Sequence, residues 1–370
     1  MQSSIIPAPL AALPWRVILL LMAIGGFGGI VLYSAAGGSL RPWASSHAVR
    51  FCAFLVMAII LSRFSERFWR DIALPGYVII LVMLIGVELL GAVGGGSQRW
   101  LDLGIIRLQP SELMKLFIVL ALARFFDMLP SGEIRGWNAI WLPGVMIGFP
   151  ALLVMLQPDL GTALMIVAGG ATIMFLAGLP LRLFIGAVGA VIVIAPLSFF
   201  FLLHDYQRNR VLIFLDPESD MLGAGYHITQ SKIAIGSGGI FGKGFLNGTQ
   251  SHLNYLPEGH TDFVFATMAE EWGLVGGLLL ITAFLMLIRW GMRVSQRAPT
   301  RFGRLAAAGL ITTIFFYVAI NLSMVMGLAP VVGIPLPMVS HGGTAMMTVM
   351  ICIGILMSIE RHSRTGRSLS

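Results

Sequence analysis

"VILLLMAIGGFGGIVLYSAA", Val17 to Ala36, carries no charged side chain anywhere along its length. A helix needs about 20 apolar residues to cross the hydrocarbon core of a bilayer, and this run is that long. The apolar core of a signal peptide spans only about 7–15 residues, so the run reads as a retained membrane helix. Comparable apolar spans recur with starts near Ala48, Ile72, Leu113, Ala139, Leu160, Leu183, Phe263, Leu305 and Thr344. The expectation is an all-α, polytopic membrane protein of about ten transmembrane helices, with the whole chain, 1–370, forming one membrane domain.

Composition agrees. The chain is 57% hydrophobic and 11% charged, against roughly 25% charged in an ordinary soluble domain. Its net charge of +7 does not point to nucleic acid. Basic residues of membrane proteins gather in cytoplasmic loops, and no basic patch interleaved with aromatics is present. Cys52 and Cys352 both fall in apolar spans, which excludes a disulfide framework and a metal-type cysteine spacing.

Charge also orients the chain. With the N-terminus inside and sides alternating, the inner segments hold Arg16; Arg63, Arg67 and Arg70; Arg124 and Arg135; Arg182; Arg289, Arg293, Arg297, Arg301 and Arg304; and Arg361, Arg364 and Arg367. The bias supports an even number of helices with both termini cytoplasmic. The one long connection, 204–261 between helices seven and eight, is then extracytoplasmic. Loops of that length are usually functional or disordered; its aromatics, glycines and cations are not low-complexity, so it is expected to be ordered and functional.

The chain has only 17 acidic residues, yet "LPEGHTDFVFATMAEEWG", Leu256 to Gly273, contains four of them, Glu258, Asp262, Glu270 and Glu271. Ionisable groups at a membrane span are expensive and point to function. Asp262 stands where the outer loop meets helix eight, open to an external substrate; alternatively, Thr261 or Asp262 is an ordinary helix N-cap. Glu270 lies about 12 Å further along the helix, beyond the separation of a hydrolytic carboxylate pair. Glu271 projects to the opposite side, toward a neighbouring helix or a buried cation.

Other candidates surround this stretch. In "QPDLGT" (157–162) Asp159 either caps helix six or serves as a second external acid. In "QPSELMK" (109–115) Glu112 and Lys115 can pair on one helix face, as a structural ion pair or as substrate contacts. "GSGGIFGKGFLNGT" (236–249) lacks the Walker spacing, with Gly244 after Lys243 where Ser or Thr is needed; a bendable loop bringing backbone amides and Lys243 to an external phosphate remains open. Arg208, Arg210, Lys232 and Lys243 put four cations on one external loop, suited to lipid headgroups or to a diphosphate. Arg99 and Trp100 of "GGGSQRWLDLG" (94–104) join that surface. The histidines show no metal-ligand spacing.

"SQRWLDLG", "QPSE", "QPDLGT", "DYQRNRV", "LDPESD", "GAGYHITQSKIAIGSGG", "GKGFLNGTQSHLNYLPEGHTDF", "AEEWGLVGG" and "SHGGT" together resemble the SEDS family (shape, elongation, division and sporulation) over most of the chain from Ser97 onward. "QSKIAIGSGG" and "GTQS" look more like its elongation members than its division members. Gly259 and His341 depart from the residues expected there. The resemblance implies a peptidoglycan glycosyltransferase that polymerises lipid II at the outer face of the cytoplasmic membrane, working with a class B penicillin-binding protein, a transpeptidase. It implies that Asp262, of the "HTDF" motif, is catalytic. Arg210, Lys232 and Lys243 would meet the diphosphate together with a divalent cation (Mg or Mn), and Arg50, Glu112, Lys115 and Asp159 complete the expected substrate-binding set. No organic cofactor is expected. A flippase for a lipid-linked precursor is the rival; it would place its key charges at the bilayer midplane.

Overall fold

The computed structural model describes residues 13–367, except 91, 95–96, 103–106, 135, 202–207, 209–211, 214–215, 217–222, 254 and 257. Ten long helices organise them: α1 (Trp15–Ala35), α2 (Trp43–Leu61), α3 (Glu66–Leu90), α4 (Pro110–Met128), α5 (Asn138–Leu156), α6 (Leu160–Ala177), α7 (Leu181–Phe201), then α10 (Val264–Arg297), α11 (Arg301–Val325) and α12 (Gly343–Arg367). Between α7 and α10 lie α8 (Ala224–Gly238) and the single turn α9 (Thr249–His252). Eight of these helices are long and apolar enough to cross a membrane. Of the other two long helices, α4 carries Glu112, Lys115, Arg124 and Asp127, and the apolar part of α7, Leu181–Ile194, is shorter. Every span read from the sequence corresponds to a helix.

A small antiparallel sheet, not foreseen from the sequence, links α3 to α4: β1 (Ala92–Gly94), β2 (Ser97–Asp102) and β3 (Arg107–Leu108), in the order β1-β2-β3. It projects Arg99 and Trp100 toward the body of the bundle. α11 and α12 form the interior: Leu310, Ile311, Ile314 and Tyr317 of the one, and Val349, Met350, Ile353 and Leu356 of the other, are fully buried. Exposed apolar side chains stud the outer helices, among them Val78 and Val82 of α3, Val188 and Val191 of α7, and Leu278 and Leu279 of α10. In water such a surface would aggregate; against lipid tails it is the expected covering.

α10 is broken at Gly273, whose φ of 63° and ψ of −161° lie in a region essentially restricted to glycine. A break frees backbone groups, and at membrane depth an unpaired N–H or C=O costs several kcal/mol. The glycine-rich segment after α8 supplies their partners. The amides of Lys243 and Gly244 donate to the carbonyls of Glu270 (2.9 Å) and Glu271 (3.0 Å). The amides of Leu274 and Val275 donate in turn to the carbonyls of Gly239 (2.9 Å) and Ile240 (3.1 Å). The two backbones are so close that a Cβ on Gly273 would lie 2.4 Å from the Gly242 nitrogen and 2.6 Å from the Ile240 oxygen.

Gly273→Ala should therefore lower the melting temperature in detergent sharply. That backbone conformation alone costs about 1–3 kcal/mol for a residue with a Cβ, and the clash falls on backbone that cannot swing away. Gly26 of α1 has no atom within 4 Å of its Cβ position, so Gly26→Ala should instead raise stability by about 0.5–1 kcal/mol. A Gly273→Ala protein melting with the wild type would remove the backbone lock from the fold.

Candidate active site

α10 starts at Val264 with Phe263 as its N-cap and no side-chain capping bond, so Asp262 is not there as a cap. The backbone is held instead. Asn321 of α11 donates from Nδ2 to the carbonyls of Asp262 (2.8 Å) and Ile334 (2.7 Å). Ser340 donates from Oγ to the Thr261 carbonyl (2.6 Å) and accepts from the Leu336 amide (2.8 Å). The His341 amide donates to the His260 carbonyl at 2.9 Å. The "HTDF" and "SHGGT" segments are thereby stitched together. The Asp262 carboxylate itself has no hydrogen-bond partner among the described residues.

Burial raises the Asp262 carboxyl to about 6, and the negative charge of Glu258 adds to the shift. Glu258 accepts a short hydrogen bond from the Thr261 hydroxyl. Burial lowers His260, against the opposing pull of Glu258; it also lowers His341, aided by the charge of Arg50. His260 stacks on Trp43 with ring centroids 4.1 Å apart. Arg50 of α2 reaches the start of α12, its Nη1 3.6 Å from where a Cβ on Gly343 would sit. Arg50 and Asp262 thus flank one pair of loops.

Gly333 separates Asp262 from a cavity of about 240 Å³; a Cβ on that glycine would be 3.5 Å from Asp262 Oδ2. Arg99, Trp100, Gln109, Glu112, Asp159 and Thr344 line the cavity. Asp159 caps α6 by accepting from the Thr162 amide at 3.1 Å. It also faces Arg99 (3.7 Å) and Gln109 (3.4 Å) across the cavity, so the capping reading holds and the same carboxylate is exposed to a polar recess. Arg99 is anchored by donating from Nε to the Gln157 carbonyl at 2.9 Å.

Glu112 and Lys115 do pair, at 2.6 Å and almost fully buried. Glu112 also accepts a short hydrogen bond from the Tyr317 hydroxyl, and Lys115 lies 4.3 Å above that ring. Breaking a buried pair from one side costs about 3–5 kcal/mol, so this network fixes α4 against α11 while Glu112 still shows an edge to the cavity.

Of the loop cations expected to meet a diphosphate, Lys243 is engaged within the protein. Lys243 donates to Glu270 Oε1 and to the Thr249 hydroxyl, both at 2.7 Å. Glu270 further accepts from the amides of Thr249 (2.8 Å) and Gln250 (3.0 Å), so it ties α9 to α10. The amides of the glycine-rich loop are already donated to α10, which leaves no anion nest of Lys243 and Gly244. Lys232 is exposed on α8 and lies along Gly327, just after α11. Arg210 lies outside the described residues. Glu271 accepts from the Ser34 hydroxyl of α1 at 2.5 Å, the helix-to-helix contact anticipated for it.

Among the described residues no group of three or more His, Cys, Asp or Glu is arranged to hold a metal ion. Asp159 is opposed by Arg99, and Glu112 by Lys115. This donor set does not fit a resident divalent cation, and no step below runs through one. Sequence reasoning missed Asn321 and Ser340; a buried amide inside an otherwise apolar span was the available signal.

The profile of the FtsW/RodA/SpoVE family, described as cell cycle proteins, matches residues 12–365. The chain is 46% identical over 350 residues to the peptidoglycan glycosyltransferase MrdB of Escherichia coli K12, covering 94% of this chain and 93% of that one. It is 30% identical to the peptidoglycan glycosyltransferase RodA of Treponema pallidum, covering 94% and 97%. Its fold is similar to a chain solved in a study of how a peptidoglycan synthase complex coordinates polymerization and crosslinking, with TM-score 0.82, 31% identity and coverage of 95% and 98%. The crystal structure of the rod shape determining protein RodA of Thermus thermophilus matches with TM-score 0.71 and 28% identity, over 94% and 97%. The resemblance first seen in the motifs extends over almost the whole chain, which is a multi-pass membrane protein belonging to the FtsW/RodA/SpoVE, or SEDS, family.

Proposed function

We infer that this chain is a peptidoglycan glycosyltransferase that polymerises lipid II during elongation and rod-shape maintenance, with Asp262 as its general base. The observation that carries the reading is a half-buried carboxylate, unpartnered and raised to about 6, beside a polar cavity in a chain so similar to named glycosyltransferases. A base whose pKa lies near the working pH is both ionised and strong enough to take a proton. Asp262 takes the proton of the acceptor N-acetylglucosamine 4-hydroxyl as that oxygen attacks C1 of the donor N-acetylmuramic acid. The C1–oxygen bond to undecaprenyl diphosphate breaks, and attack from the opposite face inverts C1 to give a β-1,4 linkage. Arg99, on the cavity wall, and Arg50, beside Gly343, are the cations we assign to the diphosphate charge, while Lys243 ties its loop to α10.

Orientation follows from charge. With Arg289, Arg293 and Arg297 at the cytoplasmic end of α10, Asp262 at its other end faces the outside, where a class B penicillin-binding protein would crosslink the product. The flippase alternative needs charges at midplane. Lys115 is only five residues into α4, about 8 Å along its axis, so the charged cavity sits toward one end of the bundle, which favours surface chemistry over transport.

Reporters test the orientation: one inserted at exposed Leu253 should read as external and one at Arg297 as cytoplasmic, and the reverse pattern would overturn the sidedness.

Asp262→Asn tests the base. With purified protein and lipid II, glycan on a gel should fall by about 10²–10⁴-fold, with membrane insertion intact. Wild-type rate should drop as pH falls through about 6. The stability effect has its own sign. The folded carboxyl titrates near 6 and the ordinary one near 3.8, so the ionised group penalises folding fully above pH 6 and not at all below about 4. Asn should therefore melt higher than wild type at pH 8, and the gap should close at pH 4. Polymerisation by Asp262→Asn within about threefold of wild type would end the general-base assignment.

A further inference from the structure

The end of the bundle opposite Asp262 holds a second and larger cavity, of about 700 Å³, between the start of α1, the end of α10 and the end of α12. Five of its lining residues are arginines: Arg16, Arg289, Arg293, Arg297 and Arg364. Glu360 is the one carboxylate among the lining residues, and it is already engaged. It pairs with Arg364 at 2.5 Å and accepts from Trp290 Nε1 at 3.0 Å. Among the described residues, Arg16, Arg289, Arg293 and Arg297 have no carboxylate partner.

A positive-inside bias puts arginines near membrane ends but does not ask them to converge. Arg289, Arg293 and Arg297 are four residues apart and so stack on one face of α10, where like charges repel. An anion in the space they enclose would relieve that repulsion. The opposite wall is apolar and lies deeper in the span: Leu20 is one turn further into α1 than Arg16, and Met286 is about one turn further into α10 than Arg289. The cavity is thus cationic at the interface and oily toward the bilayer.

We propose that this cavity binds the phosphate headgroup of an anionic phospholipid, whose acyl chains run along Val17, Leu20 and Met286. Arginine forks match phosphate oxygens in a bidentate manner, and a basic recess between transmembrane helices is the physical form such headgroup sites take. A free phosphate would satisfy the guanidinium groups but leave the apolar wall uncovered. With the orientation inferred above the lipid belongs to the inner leaflet; binding measured in detergent does not depend on that orientation, so the two readings fail separately.

The test uses the purified full chain in detergent, titrated with cardiolipin or phosphatidylglycerol and read by native mass spectrometry. Arg293→Gln with Arg297→Gln should weaken lipid binding by about thirtyfold, from the usual contribution of each cation near an anionic lipid. The charge-keeping pair Arg293→Lys with Arg297→Lys should lose clearly less than the Gln pair, because the charge stays and only the fork is gone, which separates lost charge from lost folding. Arg182→Gln, an exposed cation at the start of α7 outside the cavity, should change nothing. Equal affinity in the Gln pair, or equal loss in Arg182→Gln, would overturn the site. Complete displacement of the lipid by millimolar inorganic phosphate would show a soluble-anion site instead. Loss of transpeptidase co-purification with lipid binding intact would show a protein surface, and either result defeats the lipid assignment.

Discussion

Everything near Asp262 depends on backbone groups that have no water to turn to. When α10 breaks at Gly273, the carbonyls of Glu270 and Glu271 and the amides of Leu274 and Val275 lose helical partners, and the segment from Gly239 to Gly244 replaces them. That single constraint explains why the segment is rich in glycine: side chains would hold the two backbones apart. It also holds the segment from Gly239 to Gly244 against α10. Glu270 adds a charged clasp through Lys243 and α9. The first turns of α10, which follow directly from Asp262, are thereby fixed from the loop side, while Asn321 and Ser340 fix the turn before them from the bundle side.

The ten spans were legible because each is a sustained apolar run, and length alone distinguishes such a run from a strand. Their starts were less so. α2 begins at Trp43 rather than near Ala48, and α3 at Glu66 rather than near Ile72. Polar and aromatic residues at the membrane interface continue a helix after hydropathy has faded. The position of Asp262 was legible from the abrupt change between a polar loop and an apolar run. What it is not, a cap, was decided by where the first helical turn falls.

Pairings between distant segments could not be read. Nothing local in "GKG" says that Lys243 meets Glu270, because the loop geometry that joins them is set by the break at Gly273. Glu112 and Lys115, three residues apart, were predictable as a pair; Tyr317, two hundred residues on, was not. The sheet carrying Arg99 was hidden for another reason. Its strands are two to six residues long, too short for alternation to stand out beside ten apolar helices.

The geometry around Asp262 resolves a tension in its chemistry. A free carboxylate is a weak base, and burial strengthens it by penalising its charge. Hydrogen bonds to the carboxylate would undo that gain by favouring the ionised form. Here the bonds go to the carbonyls of Thr261 and Asp262 instead, through Ser340 and Asn321. The main chain is held while the carboxylate stays unpartnered among the described residues and raised in pKa, as the proposed proton transfer from a sugar hydroxyl requires. Glu258 presses in the same direction by charge. The buried pair Glu112–Lys115 does the reverse, neutralising its own charge so that the cavity wall can be polar at little cost to Asp262. Positioning and activation are thus carried by different atoms of the same residue.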